Sequence, residues 1–257
     1  LAFHYHEQRD LPKAIAEIAT SQVWSRDLVR EMDCTLSIKQ QLKLEAGTVL
    51  RLRDVSEVRV DGAGKLDAEG VVLTAANDAA GPGYWGSVIF ARGNTGGGSL
   101  RHSLVLNSGK NSGGAVSVQS DGAVDVLYNM FLRTANAGVE VGASRNDKVM
   151  VAGNLFNEIA GSSSTSVVRL ASQARPSILN NRMVGAAVGI SSRDDAQPKI
   201  EGNSFGQIAS FGVENSDNDT CVEVMRQWWG DPSGPKDPRK GVRDACGPDI
   251  INESGTG

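Results

Sequence analysis

Val126-Leu127-Tyr128-Asn129-Met130-Phe131, Val151-Ala152-Gly153-Asn154-Leu155-Phe156, Ile178-Leu179-Asn180-Asn181-Arg182-Met183 and Ile200-Glu201-Gly202-Asn203-Ser204-Phe205 decide the fold. They share the form apolar-x-x-Asn-x-Phe, with Met183 at the Phe position in the third. An earlier copy, Leu100-Arg101-His102-Ser103-Leu104-Val105, carries Ser103 at the Asn position. The anchors 103, 129, 154, 181 and 203 recur at intervals of 26, 25, 27 and 22 residues. A slightly variable period of this size predicts the stacked coils of a β-solenoid, with loops on one edge absorbing the variation.

A second short segment follows each anchor by about ten residues: Ala115-Val118, Gly138-Val141, Val167-Leu170, Val188-Ser191 and Phe211-Glu214. Each alternates apolar and polar residues, the period of a half-buried strand. None is long enough to stand alone. Stacked at about 4.8 Å, each finds hydrogen-bond partners in the coils above and below. The Asn column, Asn129, Asn154, Asn181 and Asn203, is read as structural: corner amides hydrogen-bond along the axis, and Asn tolerates left-handed turns.

The first half repeats the alternation more loosely through Thr35-Ile38, Leu42-Leu52, Val58-Gly62, Lys65-Gly70, Val71-Thr74 and Trp85-Phe90, with a polar loop over Asn77-Gly83. Residues 11–20 read equally as a short amphipathic capping helix or as a first strand. The expected organisation is an N-terminal cap or first strand over 1–20, coils over 21–230, and a C-terminal loop and tail over 231–257.

Several motifs, in order, resemble a family of bacterial right-handed parallel β-helix proteins of the pectate-lyase-like superfamily. They are Val23-Trp24-Ser25, Leu42 to Leu52 around Gly47-Thr48, Gly64-Lys65-Leu66-Asp67-Ala68-Glu69-Gly70, Trp85-Gly86-Ser87-Val88-Ile89-Phe90, and Trp228-Trp229-Gly230-Asp231-Pro232-Ser233-Gly234-Pro235. Gln227 stands where the closing motif usually has Asn. The resemblance implies an all-β, right-handed parallel β-helix with capped ends, and burial of Trp228 or Trp229 at the C-terminal end. It implies little about activity, because this architecture serves lyases, epimerases, adhesins and plain surface spacers alike.

Composition narrows the functions. The chain has 257 residues, enough for a large core, with 30 glycines and only 5% aromatic residues. Few aromatics argue against an aromatic-lined ligand cleft. A net charge of -4, from 26 basic and 30 acidic residues, offers no basic face for nucleic acid. No segment approaches the roughly 18 apolar residues of a membrane span. The chain starts at Leu1 without a leader pattern and reads as an excised domain or processed product, compatible with a removed export signal.

Chemistry is sought on the outward positions of the second segment: Ser117, Glu140, Arg169, Ser191 and Glu214. Glu140, Arg169 and Glu214 are candidate binding residues. Two coils intervene between Glu140 and Glu214, placing them roughly 14 Å apart, too far for a catalytic pair. Arg193, Asp194, Asp195 and Lys199 are the candidate catalytic cluster for a lyase-like site, with a solvated turn as the plainer reading. Asp217-Asn218-Asp219 resembles half of a calcium loop but lacks the following Gly and distal Glu. Apart from that Ca²⁺ candidate, no cofactor is expected. His4 and His6 read as tail residues, and His102 as a surface or corner residue.

Cys221 and Cys246 stand 25 residues apart, about one coil, which predicts a disulfide and, with it, export. Cys34 is expected as a buried free thiol. The expected function is a non-catalytic, secreted, periplasmic or cell-surface module with a structural, adhesive or carbohydrate-binding role and a glycan or cell-surface polymer as partner. The alternative is a polysaccharide lyase or glycoside hydrolase acting on an acidic or neutral glycan.

Overall fold

Strands of three to six residues dominate because each coil must turn three times within 20 to 30 residues. The structure is a computed structural model; it describes residues 16–54, 56–110, 113–142, 146–162, 165–217, 220 and 222–230, together with the backbone of 242–243. The described residues form an all-β parallel solenoid of about eight turns without a helix.

The first coil is β1 (Ala16–Ile18), β2 (Gln22–Trp24) and β3 (Val29–Met32). The second is β4 (Leu36–Ile38), β5 (Gln41–Leu44) and β6 (Val49–Leu52), and the third β7 (Val58–Val60), β8 (Lys65–Glu69) and β9 (Val72–Ala75). After the loop 76–87 come β10 (Val88–Phe90), β11 (Gly98–Arg101) and β12 (Leu104–Leu106). The fifth and sixth coils are β13 (Val116–Val118), β14 (Val124–Leu127), β15 (Met130–Ala135), and β16 (Val139–Val141), β17 (Val149–Ala152), β18 (Leu155–Ala160). Then follow β19 (Ser166–Leu170), β20 (Ser177–Leu179), β21 (Arg182–Ser192), β22 (Lys199–Glu201), β23 (Ser204–Asn215), β24 (Glu223–Met225) and β25 (Val242–Arg243).

Three faces result. The first holds β1, β4, β7, β10, β13, β16, β19, the ends of β21 and β23, and β25. The second is a separate nine-stranded sheet from β2 to β24. The third holds β3, β6, β9, β12, β15, β18 and the beginnings of β21 and β23. The first and third faces join into one 16-stranded sheet because β21 and β23 run through the corner between them. Each apolar-x-x-Asn-x-Phe segment is therefore two strands meeting at a corner, on the second and third faces. Within residues 11–20 the described part is 16–20, of which Ala16–Ile18 is strand and pairs with β4.

Inward side chains stack as ladders of like residues. On the first face Leu36, Val58, Val88, Val116, Val139, Val168, Ile190 and Val213 are in register and buried. Branched side chains suit the pleated surface. On the third face Leu50, Leu73, Val105, Phe131, Phe156, Met183 and Phe205 form the facing ladder. The Phe131 and Phe156 rings stack at 4.8 Å, and Phe205 stacks on Trp229 at 5.1 Å. Trp229 is half-buried, whereas Trp228 is exposed.

The two ladders compensate in size. Gly138, Gly189 and Gly212 abut the rings of Phe156, Phe205 and Trp229, and a Cβ at any of them would fall inside van der Waals contact. The equivalent position in the Met183 coil is Val167. Close packing leaves no slack, so a larger ring on one wall requires a missing side chain on the other.

The corner between the second and third faces is an amide ladder. The Asn129 backbone N–H and Nδ2 both donate to Asn154 Oδ1, at 2.8 and 3.0 Å. Asn154 donates in the same way to Asn181 Oδ1, at 3.0 and 2.9 Å, and Asn181 to Asn203 Oδ1, at 2.9 and 3.0 Å. The remaining Nδ2 protons go to the carbonyls of Leu100, Val126, Val151 and Ile178. Every donor and acceptor of these buried amides is thus used. Ser103 N–H donates to Asn129 Oδ1, and Asn203 N–H to Gln227 Oε1, so Gln227 continues the ladder. The preceding residues, His102, Tyr128, Gly153, Asn180, Gly202 and Arg226, all have φ between 48° and 68°. Left-handed backbone is the price of the corner, about 1–2 kcal/mol for each non-glycine residue.

A second ladder lies between the first and second faces. Asn94 Nδ2 donates to the carbonyls of Gly62 and Gly64, Ser120 Oγ donates to Asn94 Oδ1, and Asn146 Nδ2 donates to the carbonyls of Ser120 and Gly122. Trp24 and Trp85 are core residues, Trp85 donating its indole N–H to the Leu106 carbonyl at 2.7 Å. Cys34 is a buried free thiol, while Cys221 and Cys246 lie outside the described residues.

Candidate functional site

The outward line of the first face runs through Ser37, Arg59, Ile89, Ser117, Glu140, Arg169, Ser191 and Glu214, one residue per strand and in register. This is the line that the sequence alternation places on one face from Ser117 onward. Adjacent members are about 4.8 Å apart along the axis.

Polar chemistry along the line is ordered. Arg169 Nη1 meets Glu140 Oε2 at 3.3 Å, and its Nη2 donates to the Asn136 carbonyl at 3.2 Å. Both side chains are about one-fifth exposed, so the pair sits in a recess rather than on an open surface. Gly113 overhangs it: a Cβ there would lie 3.5 Å from Ser117 Oγ and 3.9 Å from Glu140 Oε2. Ser166 and Ser191 share a hydroxyl hydrogen bond of 2.7 Å. Nearer the first coil, Arg59 Nε meets Asp61 Oδ1 at 2.9 Å, and Ser37 Oγ donates to Asp61 Oδ2 at 3.1 Å. Two intervening strands, carrying Arg169 and Ser191, separate Glu140 from Glu214.

Arg193, Asp194 and Asp195 occupy the exposed turn between β21 and β22, and Lys199 begins β22. Both aspartates are left-handed, at φ 56° and 60°. Their backbone N–H groups donate to the two oxygens of Asp217, at 2.9 and 2.8 Å. Asp195 Oδ1 accepts from Thr220 Oγ1 at 3.0 Å, Arg193 lies 3.6 Å from Asp194, and Lys199 pairs with Glu201 at 3.2 Å. These contacts make a corner in which Asp217 clamps the turn of the preceding coil. Asn218 and Asp219 lie outside the described residues, as do His4 and His6. Among the described residues no group of three or more His, Cys, Asp or Glu side chains is placed to hold a metal ion. His102 stands at the Asn corner, its ring stacked on Tyr128 at 5.2 Å.

Two features escape the sequence pattern. The Asn94, Ser120 and Asn146 ladder carries a signal, intervals of 26 and 26 residues, hidden by its mixed residue types. Arg30 occupies an inward slot in the first coil, in register with Leu50, with its guanidinium 3.9 Å over the Trp24 ring; burial lowers its pKa.

In comparisons with known proteins, no family model, no curated protein and no solved structure matches the chain. No helix among the described residues is long and apolar enough to cross a membrane.

Proposed function

We propose that this chain is a right-handed, pectate-lyase-like β-helix of the bacterial cell exterior that binds an extended glycan along its first face without cleaving it. The observation that carries the reading is the recessed Ser117, Glu140, Arg169, Ser191, Glu214 line. It offers hydroxyl, carboxylate and guanidinium groups at a fixed pitch on five consecutive strands. A polymer lying along the axis would meet Glu140, Arg169, Ser191 and Glu214 in turn, with Ser117 buried beneath Gly113 at one end. Charge-assisted hydrogen bonds to hydroxyl or carboxylate groups supply affinity in such a site.

The spacing of the acids supports binding over cleavage. A glycosidase needs carboxyl groups within about 5–9.5 Å of each other, and three strand steps put Glu140 and Glu214 at roughly 14 Å. The two outward positions between them carry Arg169 and Ser191, and Arg169 already neutralises Glu140. Crossovers between parallel strands are overwhelmingly right-handed, which supports that hand for the coil.

The experiment is a glycan panel assayed for binding and for product. Retention of an acidic or neutral polysaccharide, lost in Arg169→Ala and with no new unsaturated or reducing ends, agrees with the reading. Release of such ends would replace it with the lyase or hydrolase alternative, and Asp194→Ala and Asp195→Ala would then locate the chemistry.

A further inference from the structure

The inward ladder of the third face begins on a charge. Arg30 stands in register with Leu50, and every later rung from Leu50 to Phe205 is apolar and almost wholly buried. Arg30 itself is half-buried. Its guanidinium crosses the coil to lie 3.9 Å over the centre of the Trp24 ring, which points inward from the second face. The Nε is buried without a hydrogen-bond acceptor, and burial lowers the pKa of the group. Among the described residues Arg30 makes no ion pair: Glu17 pairs with Lys39, and Glu31 with Arg53.

The place of this charge gives it a consequence. Among the described residues β1, β2 and β3 pair on one side only, with β4, β5 and β6, so the first coil ends both sheets. A sheet edge presents a row of backbone donors and acceptors to any strand of matching pitch, and a terminal coil presents three such edges. A second copy of this chain supplies coils of that pitch. Stacking one on the first coil would bury the guanidinium from its remaining exposed side. No Asp or Glu is among the buried described residues, so the arriving coil would bring no inward carboxylate to meet it. A buried, unpaired cation is strongly unfavourable. At the other end of the ladder no such charge stands, since Phe205 is covered by the Trp229 ring.

We propose that Arg30 is an end-stop, an inward charge that keeps the first coil from accepting a coil of another copy and so holds the stack to one molecule. Head-to-tail stacking of coils does not close on itself, and without the stop it would run on as a filament. Trp24 holds the stop in place: its ring face attracts the guanidinium and keeps it across the mouth of the core. Inward charges at sheet edges are a general defence against edge-to-edge assembly, at some cost in stability. The end-stop lies apart from the glycan line of the first face and stands independently of that function.

The test is sedimentation and electron microscopy of the full chain at micromolar to millimolar concentration, where unprotected edges assemble. The wild type stays in solution as species of fixed size. Arg30→Met removes the charge, keeps a long side chain and repeats the residue type of Met183 in the same ladder. It should form filaments that lengthen with concentration, with about tenfold more protein sedimenting than for the wild type. Arg30→Lys keeps the charge and stays dispersed. Urea unfolding separates a stop from mere packing: a residue that only braces Trp24 would give a lower midpoint in both variants and filaments in neither. Arg30→Leu, matched to Leu50, repeats the experiment if Arg30→Met misfolds by circular dichroism. Wild-type filaments, folded and dispersed apolar variants, loss of fold in both apolar variants, or filaments from Arg30→Lys equal to those from Arg30→Met overturn the proposal.

Discussion

The first and third faces share one interior and one strand pitch, yet their outward positions carry opposite chemistry. Outside the first face stand Ser117, Glu140, Arg169 and Ser191; outside the third stand Leu104, Met130, Leu106 and Leu132. Strand alternation separates the two sides of a sheet, so the interior ladders impose nothing on what points out. In a solenoid this freedom repeats at every coil, and each face can acquire a function of its own without disturbing the stack. The difference between the faces is therefore one of outward chemistry alone, polar groups in line on the first and aliphatic columns on the third.

Breaking the shared interior should damage both faces at once and have the largest effect. Asn154→Ala removes four hydrogen bonds and leaves the Asn129 N–H without its acceptor. A loss of about 3–5 kcal/mol is expected in urea unfolding. A loss below about 1 kcal/mol would mean that neighbouring amides or water replace the ladder.

Gly189→Val comes next. It forces a side chain against the Phe205 ring and the Gly212 carbonyl, and about 2–3 kcal/mol should be lost. Pairing it with Phe205→Leu should recover part of that, a double-mutant cycle that checks whether the two walls are matched in size.

Smaller effects separate the faces. Arg169→Ala leaves Glu140 recessed beside Ser117 without its cation, and about 1–2 kcal/mol should go, between the values of surface and buried pairs. Its main effect should be on glycan retention. Leu132→Lys, outward on the third face, should change unfolding by no more than about 0.5 kcal/mol and leave glycan retention unchanged. Equal effects of these two variants on both readouts would erase the distinction between the faces.

The Asn register, the second-segment strands and the outward line from Ser117 to Glu214 were all legible in the sequence. Each rests on a strong local signal: a corner amide at a fixed interval, or a clean alternation. The third face was not legible, and the reason is visible in Met130-Phe131-Leu132. Phe131 points in while Met130 and Leu132 point out, so an uninterrupted apolar run conceals the period of two. The Asn94 ladder was concealed differently, since Asn, Ser and Asn do the same job through different atoms. At the Asp194-Asp195 turn, the acidic run suggested chemistry, but the groups that engage it, Asp217 and Thr220, come from more than twenty residues away.

By itself, then, the sequence determined that the chain stacks, at what interval, and which residues turn its corners. Those facts follow from the backbone's need for partners and from side chains that satisfy it locally. Only the tertiary structure decided what faces what: the ring that needs a glycine opposite, the carboxylate that finds Arg169, and the apolar columns left outside. These depend on distances between residues one coil apart, which change with every insertion in the loops and are fixed only when the coils are in register.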